Sequence, residues 1–218
     1  MMSLDEPSPA GKRARRASIS APEPVPLTPN RREEAVRALA AAFARDPLML
    51  WMSRASTFPF AVFDLVLDAY MSTGASWILS NGAGVLLGVP PEVPKPKVHV
   101  APRVLGRLAR RYGLLTLIRG AGYTGYSATF PPRLPHYYVY ALGVRPEFQG
   151  QGLGARLMQP LLTLADARQV PVYLESANPR NLSFYQRLGF RIQRETRAPL
   201  RGPRLWLLLR PPRAGAME

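Results

Sequence analysis

The chain has 218 residues, 47% of them hydrophobic, with 24 prolines, no cysteine and a formal net charge of +15 at pH 7. This length suits one domain with a sizeable core. The lack of cysteine excludes disulfides and thiolate metal sites, and the two histidines, His99 and His136, cannot build a multi-histidine centre, so no metal is expected. No apolar stretch is long enough to span a membrane, and the basic cluster Lys12–Arg16 runs into Ser, Pro and Glu rather than an apolar core. The expectation is a cytoplasmic protein without a signal peptide or a membrane partner.

Residues 1–23 are rich in Ser, Pro, Ala and Arg without apolar periodicity, which predicts a disordered tail before a domain over 24–213; residues 214–218 form a C-terminal tail. Val25–Leu27 reads as a short strand. Asn30 is the predicted cap of a first helix, with Glu33 as its capping-box partner, and Ala35, Val36, Leu39, Ala40 and Phe43 give the apolar stripe. Arg45-Asp46-Pro47 should end that helix. A second helix is predicted over Pro59–Tyr70 on Phe60, Phe63, Leu67 and Tyr70. Ser76–Leu79 and Val85–Val89 flank Asn81-Gly82 as a hairpin.

Pro90–Pro102 reads as a connection, and Arg103–Arg119 as one helix with Val104, Leu105, Leu108 and Leu115 on its apolar face. The stretch 93–133 is strongly basic and contains no Asp or Glu. Its charge suits a solvated surface or an anionic partner. Aromatic residues do not alternate with the cations as a nucleic-acid stacking platform requires, so nucleic acid ranks last among the partners.

A strand over 137–144 then leads into Gly143-Val-Arg-Pro-Glu-Phe-Gln-Gly-Gln-Gly-Leu-Gly154, followed by a helix over 152–168. Alternating glycines at a helix start leave backbone N–H groups open to an anion, which is the chemistry of phosphate binding. Gly150-Gln151-Gly152-Leu153-Gly154-Ala155 also fits the dinucleotide pattern, with Glu175 downstream. A dinucleotide fold, however, places this turn after its first strand, and here only one further βα unit follows. No Lys-Ser/Thr follows the glycines, which removes the P-loop. Val172–Ala177 is a strand, Arg180–Leu188 a short helix closed by Gly189, and Phe190–Glu195 and Arg204–Leu209 are the closing strands.

Val144, Pro146, Gln149, Gly152 and Gly154 resemble the central Val-x-Pro-x-x-Gln/Arg-x-x-Gly-x-Gly/Ala motif of the Gcn5-related N-acetyltransferase (GNAT) superfamily. Leu174-Glu175, Asn178, Asn181 and the Tyr185–Phe190 segment resemble the segment that follows it in that family. Asn181–Phe190, Gly202–Trp206 and Arg37–Phe43 are further similar to the subgroup typified by puromycin N-acetyltransferase. The resemblance implies an α/β GNAT fold, a mixed central sheet with splayed parallel strands flanked by helices, and acetyl-CoA as co-substrate.

The resemblance also implies roles. Gln149, Gly150, Gln151, Gly152, Leu153, Gly154 and Ala155 would cradle the coenzyme pyrophosphate, and Leu142, Gly143 and Val144 would pair with the pantetheine arm. Gly143 is where a strand bulge is expected. Asn178 and Asn181 would orient the coenzyme, although turn residues of this type also have a structural explanation. Tyr185 would be the general acid and Glu175 a general base; as a lone strand carboxylate, Glu175 could equally pair with an arginine. His136 has a suitable pKa for a base but sits at a strand edge, and Glu147 is read as solvated or capping. Asp46, Trp51, Phe58 and Tyr70 are candidates for the acceptor side.

The expected activity is acetyl transfer from acetyl-CoA to a primary amine of a small molecule, by a monomer or homodimer. A protein or peptide N-acetyltransferase is the alternative, and a non-catalytic acyl-CoA or nucleic-acid binding module the third reading.

Overall fold

The computed structural model describes residues 21–213. The tail predicted over 1–23 therefore lies outside the described residues up to position 20, as does 214–218. Glu23 is tied to the fold: its carbonyl accepts from Ser80 N at 2.8 Å, and its carboxylate meets Arg156 at 2.7 Å.

Seven strands form one sheet in the order β1-β2-β3-β4-β5-β7-β6. They are β1 (Pro24–Pro26), β2 (Trp77–Leu79), β3 (Gly84–Val89), β4 (Tyr137–Val144), β5 (Val172–Ser176), β6 (Arg191–Arg197) and β7 (Arg204–Arg210). Only β4 and β5 pair in parallel; every other neighbouring pair is antiparallel. The predicted hairpin joins β2 to β3. Gly82 takes φ +69° at its tip, where an added Cβ would lie 1.7 Å from the Glu34 carboxylate.

The helices are α1 (Arg32–Ala42), α2 (Pro47–Met52), α3 (Phe58–Met71), α4 (Pro102–Tyr112), α5 (Leu114–Ser127), α6 (Leu153–Ala167) and α7 (Leu182–Arg187). One face of the sheet carries α1 and α3, through Val36, Leu39, Phe63, Leu67 and Tyr70 against Ile78, Val85, Leu87 and Tyr138. The opposite face carries α6 and α7, through Leu157, Leu161 and Tyr185, with Phe190 just past α7, against Leu86, Val139 and Leu174. This division follows the alternation of side chains along each strand.

Three helix expectations need correction. Asn30 does not cap α1: a 3₁₀ turn over Pro29–Arg31 delays the helix, Arg31 takes the cap position, and Glu33 pairs with Arg37 instead. Asp46-Pro47 does more than end a helix. Asp46 accepts from Leu48 N at 2.9 Å and Met49 N at 3.3 Å and so starts α2, which periodicity over six residues was too short to reveal. The single helix expected over Arg103–Arg119 is two, broken at Gly113 with φ +87°. Leu105 and Leu115 are consequently exposed, and Phe60 on α3 also faces outward.

Candidate active site at the parting of two strands

β4 and β5 pair only at Tyr137–Val172, Tyr138–Tyr173 and Val139–Leu174, whereas β4 continues to Val144 against β3 alone. From Tyr140 onward one backbone edge of β4 has no strand beside it. The bulge that accompanies this parting is not at Gly143. The β3 register passes from Gly88–Val139 to Leu87–Ala141, so Tyr140 is the extra residue, and Tyr140 and Ala141 both face the α1/α3 side. Gly143 is required by packing: an added Cβ would lie 2.8 Å from Ala42 Cβ and 3.1 Å from Leu39 Cδ2.

The glycine loop leaves the end of that open strand. A 3₁₀ turn over Pro146–Phe148 leads to Gln149, whose Nε2 donates to Val144 O at 2.8 Å and fastens the loop to β4. Gly150 and Gly152 have φ +78° and +76°, with nothing within 4 Å of an added Cβ, so the backbone there faces open space. Gly152 caps the fifteen-residue α6. Among the described residues, the N–H groups from Gly150 to Gly154 have no backbone partner. Open N–H groups at the positive end of a long helix fit a pyrophosphate, so the residues present suit coenzyme A. Gly154 is closed on its other side, where an added Cβ would meet Phe184 at 3.3 Å, and this brings α7 against the loop.

Tyr185, next to Phe184, is buried in edge contact with Phe184 and Phe190. Burial raises its pKa, and the Asp46 carboxylate raises it further. The Tyr185 ring packs in the α6/α7 cluster, while Asp46 heads α2. Asn178 accepts from Arg180 N at 3.1 Å and starts the turn before α7; Asn181 ends that turn, and its side chain caps nothing.

On the opposite face lies a cluster that the sequence did not reveal. Glu175 accepts from Tyr123 Oη at 3.0 Å and Tyr173 Oη at 3.3 Å. Tyr70 stacks on Tyr140 with ring centroids 3.9 Å apart, and Tyr138 lies beside both Tyr140 and Tyr173. Lys95 lies over the Tyr138 ring at 4.6 Å and donates to its hydroxyl at 3.3 Å. Burial raises the Glu175 pKa; Lys95 and the two tyrosine hydroxyls pull it back down. Burial and the nearby Glu175 charge push Tyr140 up to about 12. Burial lowers the Lys95 pKa, and Glu175 opposes that shift.

Helix α5 closes this cluster from outside. Tyr123 reaches Glu175 on β5, Tyr126 Oη meets Thr196 Oγ1 on β6 at 2.6 Å, and Arg119 donates to Trp51 O on α2 at 2.6 Å while lying over the indole. Two clefts reach the edge of the cluster. One, of about 430 Å³, is lined by Lys95, His136 and Tyr138. The other, of about 270 Å³, is lined by Tyr173, Phe130 and Arg194. Neither touches the glycine loop, which is an open cradle.

Residues 109–190 match the model of the Acetyltransferase (GNAT) family. The fold resembles a Corynebacterium glutamicum structure described as histone acetyltransferase HPA2 and related acetyltransferase, with TM-score 0.66 and 24% identity over 89% of this chain and 98% of that one. The fold is a GNAT fold. The family match is confined to residues 109–190, and the structural neighbours share the fold. The C-terminal condensation domain of Ebony shares this GNAT architecture at TM-score 0.62 and 11% identity, covering 88% of this chain and 99% of that one.

Among curated proteins, the chain is 35% identical over 69 residues to N-alpha-acetyltransferase RimI of Mycobacterium tuberculosis, covering 32% of this chain and 44% of that protein. It is 31% identical over 64 residues to the 5-NmdU N-acetyltransferase of Pseudomonas phage PaMx11, covering 29% of this chain and 46% of that protein. The matches thus span less than half the length of these curated relatives.

Of the residues singled out from sequence, Leu142, Gly143, Val144 and Gln149–Ala155 run along the open half of β4 into α6, and Tyr185 lies beside them. Glu175 faces the tyrosine cluster, which Tyr70 also joins. Asp46 lies within electrostatic range of Tyr123 and Tyr185. Phe58 packs on Tyr112 instead. His136 is engaged through Nδ1 with Leu134 O at 2.7 Å, and Glu147 pairs with Arg145. Lys95, Tyr123, Tyr138 and Tyr140 were missed. The signal for the two strand tyrosines was their i, i+2 spacing, which puts them on one face of β4. Nothing local marks Lys95 or Tyr123, because each reaches the site from a distant segment.

Proposed function

We propose that the chain is an acetyl-CoA-dependent N-acetyltransferase whose acceptor is the primary amine of a small molecule. The observation that carries this reading is the two-sided gap: an anion cradle, an open strand edge and Tyr185 on one side, and a carboxylate among tyrosines on the other. When bound, acetyl-CoA supplies an acetyl group activated as a thioester. The N–H groups of Gly150–Gly154 and the α6 dipole hold its pyrophosphate, and the backbone of Leu142–Val144 pairs with its arm as an added strand would. Asn178 and Asn181 border that arm.

Tyr185 keeps its proton at neutral pH, because burial and Asp46 both disfavour the phenolate; it delivers that proton from Oη to the departing sulfur, and the second proton lost by the attacking nitrogen restores the phenol. Glu175 takes the proton that the ammonium form of the acceptor must lose before it can attack. Its raised pKa brings it closer to the amine's working range than an exposed carboxylate would be. The tyrosine faces around it favour a cation next to the carboxylate.

Helix α5, fastened to β5, β6 and α2, supports a small acceptor over a peptide, which needs an open groove. The similarity of Gly202–Trp206 and Asn181–Phe190 to the puromycin N-acetyltransferase subgroup points the same way. The partial likeness to RimI is what favours the peptide alternative. The test is acetyl-CoA consumption against aminonucleosides, polyamines and peptides. Turnover with a small amine is expected. Turnover with peptides alone would reverse the acceptor assignment, and background hydrolysis with every amine would refute the enzyme.

A further inference from the structure

We propose that the outer face of α4 and α5 docks the protein on an anionic lipid surface. Helix α4 separates its residues sharply. At 100° per residue, Arg103, Arg107, Arg110 and Arg111 occupy one side, and Val104, Leu105, Leu108 and Tyr112 the other. No residue of α4 is fully buried. Helix α5 begins one residue later and turns Leu114, Leu115 and Ile118 outward at 66%, 52% and 49% exposure. These leucines and the isoleucine share one face of α5, opposite the Thr116, Tyr123 and Ser127 side that packs inward. The result is an apolar face next to arginines, of which Arg103, Arg107 and Arg110 form no ion pair among the described residues.

Charge selects the occupant. A second copy would bring the same arginines and the same net charge of +15 to the contact. A nucleic acid would engage the arginines and leave the leucines in water. An anionic bilayer satisfies both, taking apolar side chains below its headgroups and arginines among them. The absence of a membrane-spanning helix among the described residues does not bear on surface docking.

The test is co-sedimentation of the full chain with vesicles of phosphatidylcholine alone or mixed with phosphatidylglycerol. Binding to the mixed vesicles only is expected, weakening with salt and falling about fivefold for each arginine neutralised in R107Q and R110Q. Leu114→Asp/Ile118→Asp should abolish binding while thermal melting stays at the wild-type value; should that variant fail to fold, the arginine variants decide. Equal binding to neutral vesicles, no vesicle binding, binding to duplex DNA alone, or a dimer in solution that I118D disperses would each overturn the proposal.

Discussion

Replacing Glu175 by Gln tests the proposed base at a position where shape is preserved. The amide oxygen can still accept from Tyr123, and the amide NH₂ can donate to Tyr173, whose hydroxyl reverses its role. Both hydrogen bonds can therefore survive, and the stability change should stay within about 1 kcal/mol. Affinity for acetyl-CoA should not change, since Glu175 lies on the face away from the glycine loop. Turnover should fall. A positioned general base contributes roughly 10²–10⁴-fold, and the two phenol donors reduce the basicity of Glu175, so we expect about 10²-fold. The pH profile of kcat/KM makes the test specific. In the wild type the acidic limb should lie above the ordinary carboxylate range, because burial raises the Glu175 pKa, and activity should be lost as pH falls through it. In E175Q that limb should vanish. A variant with reduced turnover but the wild-type limb would assign the titration to another group, and unchanged turnover would remove Glu175 from the chemistry.

Tyr185→Phe should lower kcat by about 10²-fold with little change in KM for acetyl-CoA, measured by thiol release, since only the transferable proton is removed; unchanged kcat would exclude Tyr185 as the acid. Asp166→Asn should lower stability by about 2–3 kcal/mol in urea unfolding at neutral pH. Arg210 is 2% exposed and makes two 2.7 Å bonds to that carboxylate; an amide there can accept only one of them, turns an NH₂ toward the other guanidinium nitrogen and leaves the buried charge without its counter-ion. Arg210 holds the Asp166 pKa below its usual value, so this contribution is present above the ordinary carboxylate pKa and disappears as pH falls through the lowered one. The wild type and the variant should converge in stability in strong acid, and a constant difference across pH would place the effect elsewhere.

The sheet was largely legible because most of its strands, β2, β3, β4, β5 and β7, are largely apolar runs; the exposed, polar β6 is the exception. The open loop before α6 was legible because three alternating glycines leave few structural alternatives. The bulge was misplaced to Gly143 because glycine is the usual sign of one, whereas here its small size serves the approach of α1 and the extra residue is Tyr140. The basic stretch over 93–133 read as a solvated surface or a seat for an anionic partner, and neither reading singled out Lys95 or Tyr123, which face Glu175. Composition reports what a segment can bear in water. It does not report that a proline-bounded connection and the helix that follows Gly113 fold back onto β4 and β5.

The parting of β4 and β5 also has a mechanical meaning. Strands β1–β4 and strands β5–β7 are joined by three parallel residue pairs at one end of their boundary. Beyond Val139 the sheet holds an unpaired edge in its interior, between two strands that have already parted, rather than at its rim. A ligand backbone laid along that edge becomes a tie between two half-sheets. Its binding energy then adds to their cohesion, and thermal unfolding should shift upward with the logarithm of ligand concentration.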